Sequence, residues 1–346
     1  MSRPMLGKFA SPLAAAARRC RSIGVRPAHV LWLIGFTSAC DAYFVCAPPE
    51  ARHIDRLPER LSETGLYAGP EQITDGVRAY RPRFEFWSDG ASKRRWIWLP
   101  AGAQIDTSEA DDWRFPEGTK LWKEFTSDGV RIETRLLQKT GPSDADWTAL
   151  AYVWRPDGSD AIAAPYGVMN AAGTAHDVPG AGECFACHGG RKSGALGFSL
   201  LQLAYAADDG NLDVGQLDQA DLVSEQLPAE LTLPGDAINR EALGYLHGNC
   251  GHCHNQARPR TSGPRCYDPE NELDFWLQLD HLGSVSDTPT YRSAAGTVIE
   301  PGRPSQSRLL QLVSRRDAFD HMPPLATEVV DAHGVAALRS WIEQLR

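Results

Sequence analysis

Between residues 76 and 154 the apolar positions come in short runs broken by turn residues. Lys93-Arg94-Arg95-Trp96-Ile97-Trp98-Leu99 ends at Pro100-Ala101-Gly102, and Leu121-Trp122-Lys123-Glu124-Phe125 leads into Ser127-Asp128-Gly129. Arg131 to Leu136 alternates after that turn, and Trp147 to Trp154 precedes Pro156-Asp157-Gly158. Alternation with regular turn signals predicts antiparallel strands, as in a sandwich or barrel. Farther on the period lengthens. Leu196 to Leu203 is helix-like, and helical signals run from Ala237 through Leu243 and Leu246 into Cys250. Ser305 and Ser307 stand where helix starters belong, before Arg308-Leu309-Leu310-Gln311-Leu312-Val313. Val335, Leu338, Trp341, Ile342 and Leu345 recur at helical spacing in a closing helix, expected to pack on the helix that runs into Cys250. The pattern predicts a multi-domain α+β chain, with a sandwich-like antiparallel β domain first and mainly helical modules after it.

Two motifs give those modules a chemistry. Cys184-Phe185-Ala186-Cys187-His188 and Cys250-Gly251-His252-Cys253-His254 each place two thiols three positions apart with histidine next. Covalent attachment of a c-type haem needs this arrangement: one thioether to each vinyl carbon and an imidazole on the iron. Cys184, Cys187, Cys250 and Cys253 are the expected thioethers, and His188 and His254 the proximal ligands. The competing reading is a zinc site built from all four cysteines, which leaves the two following histidines unexplained.

Met322, before Pro323-Pro324, is the expected distal ligand of the second haem, with His321 as its competitor. A thioether is a soft, neutral donor that favours ferrous iron. For the first haem the distal candidates are His176, which Asp177 could orient, then Met169, then an open or water-bound iron. His252 is expected at the surface, His247 in the surroundings of the other haem, and His53 in solvent.

The amino-terminal 40 residues hold six basic residues and no acid, which leaves 29 of the chain's 35 basic residues facing all 44 acidic ones beyond them. That excess of negative charge excludes nucleic acid as a partner. Basic residues up to Arg26, the apolar run Val30 to Phe36 and the small residues Thr37-Ser38-Ala39 have the layout of an export signal. Cys40 then stands where a lipid anchor would be attached, against which a plain cleaved signal is the alternative because Thr37 replaces the usual leucine; Cys20 lies inside the signal, and Cys46 and Cys266 are left over and could pair in an oxidising compartment. The boundaries read as 1–40 export signal, 41–75 linker, 76–175 β-rich domain, 176–236 first haem segment and 237–346 cytochrome-like domain. Seven of the ten tryptophans lie between Trp87 and Trp154, where they are expected to pack the core rather than line a sugar groove.

The stretch from Tyr245 to Cys250, with Pro301-Gly302-Arg303-Pro304, Met322-Pro323-Pro324 and Trp341-Ile342, resembles a class I cytochrome c domain. With Leu61 to Tyr67, Trp87-Ser88-Asp89-Gly90-Ala91, Phe115-Pro116, Glu133 to Leu136 and Leu196-Gly197-Phe198, the wider chain is similar to a family of bacterial dihaem c-type cytochromes of poorly defined role. The resemblance implies a periplasmic electron carrier with redox proteins as partners. The alternative is a dihaem oxidoreductase of peroxidase type, with an open site on the first haem.

Overall fold

Asp128 and Gly129 take φ angles of 50° and 78°, the left-handed pair that lets a two-residue loop follow the twist of its strands. They close the central hairpin in a computed structural model that describes residues 54–346 apart from 209, 259–267, 269, 317–319 and 326. The export signal, Cys20, Cys40, Cys46, His53 and Cys266 lie outside the described residues. β1 (Tyr67–Gly69) and β2 (Gln72–Ile73) form a small ribbon. The main sheet follows as an antiparallel meander in sequence order: β3 (Arg78–Ala79), β4 (Ser92–Trp98), β5 (Lys120–Ser127), β6 (Val130–Lys139), β7 (Trp147–Trp154) and β8 (Ala161–Ala163). β9 (Tyr166–Val168) and β10 (Val178–Gly180) make a second ribbon.

Register explains how the sheet is covered. Trp96, Trp122, Leu136 and Leu150 line up across four strands, and Ile97, Leu121, Leu137 and Ala149 form the adjoining row. Neighbouring residues of a strand point to opposite faces, and both rows are buried, so each face has its own cover. Leu57, Leu61 and Leu66 pack on the first row. From residue 54 onward, therefore, the segment read as a linker is a structural layer. Phe198, Leu200, Leu203, Val214 and Leu217 pack on the other face, so the layer facing the sheet is helix and loop, not a second sheet. The antiparallel reading stands and the sandwich does not, because alternation records that a face is buried without recording what buries it. The described residues fall within one compact unit, so the boundaries at 175/176 and 236/237 are not gaps in packing. Of the seven tryptophans between Trp87 and Trp154, Trp96, Trp113, Trp122 and Trp147 are buried, in keeping with a core role.

The helices are α1 (Ala181–His188), α2 (Leu200–Leu203), α3 (Val214–Gln219), α4 (Ala237–Asn249), α5 (Pro289–Ala294), α6 (Arg308–Val313) and α7 (Ala332–Gln344). Side-chain caps start the two long ones: Asp236 accepts from the Asn239 N–H at 3.0 Å and Asp331 from that of Gly334 at 3.0 Å. α7 packs on α4 as its periodicity predicts, through Leu338, Trp341 and Ile342 against Leu243 and Leu246. The Trp341 indole also donates to Asn239 at 3.1 Å. Ser307 occupies the N-cap position of α6, but its hydroxyl accepts from the Glu300 N–H at 2.9 Å and tethers the preceding loop instead. No helix among the described residues is long and apolar enough to cross a membrane.

Candidate cofactor site

The first motif is helical. Glu183 accepts from the Gly180 N–H at 2.7 Å and fixes the start of α1, so Cys184, Cys187 and His188 fall on one face at helical spacing. All three line a cavity of about 320 Å³. His188 Nδ1 donates to the Gly194 carbonyl at 2.6 Å, which orients the ring and leaves Nε2 as a free lone pair. Burial, and then the charge of Lys123, push the pKa of His188 down to about 3. It is a neutral imidazole, as metal ligation requires. Burial raises the Cys184 thiol to about 11.

The second motif begins where α4 ends. The Cys250 N–H donates to Leu246 at 2.8 Å, and the N–H groups of Cys253 and His254 turn back to the Cys250 carbonyl at 3.0 and 2.9 Å. This is one turn of chain past the helix. Asn249 pins it by accepting from the Trp87 N–H at 2.8 Å and donating to the Tyr245 carbonyl at 3.1 Å. The His254 ring meets Phe275 edge-on at 5.7 Å, and burial lowers its pKa. Met322 and Cys250 both border the hydrophobic core formed by α4, α6 and α7. The competitor His321 has its Nδ1 at 2.8 Å from the Pro323 carbonyl.

The motifs, 66 positions apart in sequence, touch. Arg258 donates to the Ala186 carbonyl at 2.9 Å and to that of His252 at 3.2 Å, and Asn255 donates to Gly190 at 3.2 Å and Gly251 at 2.8 Å. The approach is so close that a Cβ on Gly190 would lie 1.7 Å from the His252 carbonyl oxygen. Ligand atoms of Cys187, His252 and Cys253 lie within 4.8 Å of one another. The closeness of the two thiols pushes the pKa of Cys187 up and that of Cys253 down. Two expectations change here. His252 is buried, 5% exposed, because the first motif covers it. The donor cluster found among the described residues is Cys187, His252 and Cys253, without Cys184 or Cys250.

The sheet supplies another wall of the cavity, through Arg95, Lys123 and Arg135. The sequence reading passed over these residues, although their signal was present as basic residues inside otherwise apolar strands. His247 also lines the cavity, against Trp276 at 4.4 Å. Its Nδ1 accepts from the Leu277 N–H at 3.2 Å, and the buried Nε2 has no partner among the described residues. Burial pushes its pKa down to about 3. In the neutral ring that this fixes, Nε2 carries the hydrogen, so His247 presents a donor to its surroundings. His176 is buried with Nε2 at 2.6 Å from Glu133, while Met169 lines the cavity although 73% exposed. The combination of paired thiols, a free imidazole lone pair and cations around one cavity suits a large cofactor that carries both a metal and acidic groups. Comparisons with family models, curated proteins and solved structures gave no significant match.

Proposed function

We propose that this mixed α+β protein is an exported dihaem c-type cytochrome that passes electrons between redox proteins. Haem would be held through thioethers at Cys184 and Cys187 and at Cys250 and Cys253, with His188 and His254 as proximal ligands and Met322 as the distal ligand of the second. The observation that carries this reading is the contact between the two motifs: groups attached at Cys187 and Cys253 start from adjoining sulfurs, as a relay would require. Haem supplies one-electron chemistry. The protein's part is to hold His188 neutral and oriented through Gly194, to keep Met322 on the core that Cys250 borders, and to lock the two motifs together through Arg258 and Asn255. Export, with a lipid anchor at Cys40, belongs to the same proposal, since covalent attachment of haem fits a periplasmic maturation rather than a cytosolic one.

The test is the visible spectrum and the pyridine haemochrome of protein purified from the periplasm, expected to give two haems per chain. Colourless protein carrying zinc would refute the proposal in favour of a metal site at Cys187, His252 and Cys253.

One observation favours a second reading, the peroxidase-type oxidoreductase. His176, the first choice as distal ligand of the first haem, has its Nε2 engaged by Glu133 and does not line the cavity, whereas Met169 does; were Met169 not to ligate, a small molecule could take that position. Binding of carbon monoxide to one reduced haem supports this reading, and its failure to bind either supports pure electron transfer.

A further inference from the structure

Arg95, Lys123 and Arg135 are direct partners across β4, β5 and β6. Like charges placed opposite each other destabilise a sheet, and here three cations stand in one row on the face that lines the cavity. Protein carboxylates compensate only the ends. Glu85 pairs with Arg95 at 3.1 Å, and Glu133 pairs with Arg135 at 2.5 Å while also engaging His176. Arg95 Nη1 is buried without a partner among the described residues, and no hydrogen bond or ion pair of the Lys123 ammonium is found among them. Burial, reinforced by Arg95, Arg135 and Lys93, holds the pKa of Lys123 far below that of a free lysine. The other acids around the cavity do not answer this charge. Asp177 accepts from the Asn170 N–H at 2.6 Å, Glu183 caps α1, and Glu328 is exposed. Lys93 donates to the Phe86 carbonyl.

We propose that the row Arg95, Lys123 and Arg135 binds carboxylate groups, those of the haem held at Cys184 and Cys187, which makes the β-sheet one wall of the first haem's site. The inference rests on the dihaem reading and extends it: the sheet is part of the cofactor site rather than a scaffold beside it. A row of cations paired with protein carboxylates only at its ends is costly, and it is stabilised when further carboxylates enter it.

The experiment compares wild type with Lys123→Met and Lys123→Arg by haem count and by the potential of each haem against pH. In Lys123→Met, two haems remain, the potential of one falls because a nearby positive charge that favours ferrous iron is gone, and the pH at which that potential begins to change moves upward. Lys123→Arg restores both. If Lys123→Met does not accumulate, Arg95→Gln at the end of the row is read in the same way. Two haems with unchanged potentials and pH profiles would overturn the inference and leave the dihaem reading intact. A wild-type spectral response to added acetate that Lys123→Met abolishes, with the pH profile unmoved, would assign the row to a free anion and overturn the haem as its source. Wild-type protein without haem would end both proposals.

Discussion

His247 shows how one side chain can tie stability to pH. A histidine in the unfolded chain takes up a proton near pH 6.5, whereas burial keeps the folded ring neutral down to about pH 3. Between those values the unfolded state binds more protons, so this part of the stability is complete above pH 6.5 and is lost as pH falls. From pH 7 to pH 5 the loss from this one residue is about 2 kcal/mol. Urea unfolding at the two pH values should show it, and His247→Asn should flatten the difference; an equal slope in both proteins would contradict the buried neutral ring. At Met322 the expectation concerns redox chemistry. On the dihaem proposal, Met322→Ala should lower the potential of one haem, since loss of a thioether ligand disfavours ferrous iron, and leave the other unchanged. Redox titration followed at the α band measures this, and unchanged potentials would remove Met322 from the ligand set.

Elements were legible in the sequence where local chemistry decides them. β7 was read at the residues where it occurs, Trp147–Trp154, because a turn closes it and apolar residues fill it. The Asp128-Gly129 hairpin was legible because few residues adopt two left-handed angles in succession. α7 and its partner helix followed from a 3.6-residue period. What covers each sheet face was not legible, since Leu57, Leu61 and Leu66 find their partners only in three dimensions. Nor was the contact between the motifs: spacing reveals two sets of ligands but not their separation. Gly190 is the strictest element of that contact. Gly190→Ala would force a methyl group onto the His252 carbonyl, and overpacking of this kind costs about 1–3 kcal/mol. Chemical denaturation should show that loss. A change within about 0.5 kcal/mol would mean that the two loops stand apart in solution.

At the scale of the molecule, the sheet, the first motif and the second motif make one structure, not three modules in series. Arg258 reaches from behind the second motif to α1, and Trp87, between β3 and β4, is held by Asn249 at the end of α4. Such tight closure bears on the order of biogenesis. Enzymes that attach haem must grip an extended Cys-x-x-Cys-His segment, yet in the finished fold Cys187 and Cys253 face each other and His252 is sealed beneath the first motif. If haem is attached here as proposed, attachment should therefore precede closure, with the chain receiving its pigment while still open. Protein folded without haem and supplied with it afterwards should stay largely uncoloured, whereas the same protein unfolded in urea and diluted into the attachment reaction should gain thioether-linked haem. Equal labelling of both samples would show that the closed form opens readily. The seam between the motifs would then act as a clock for maturation as well as a joint in the finished protein.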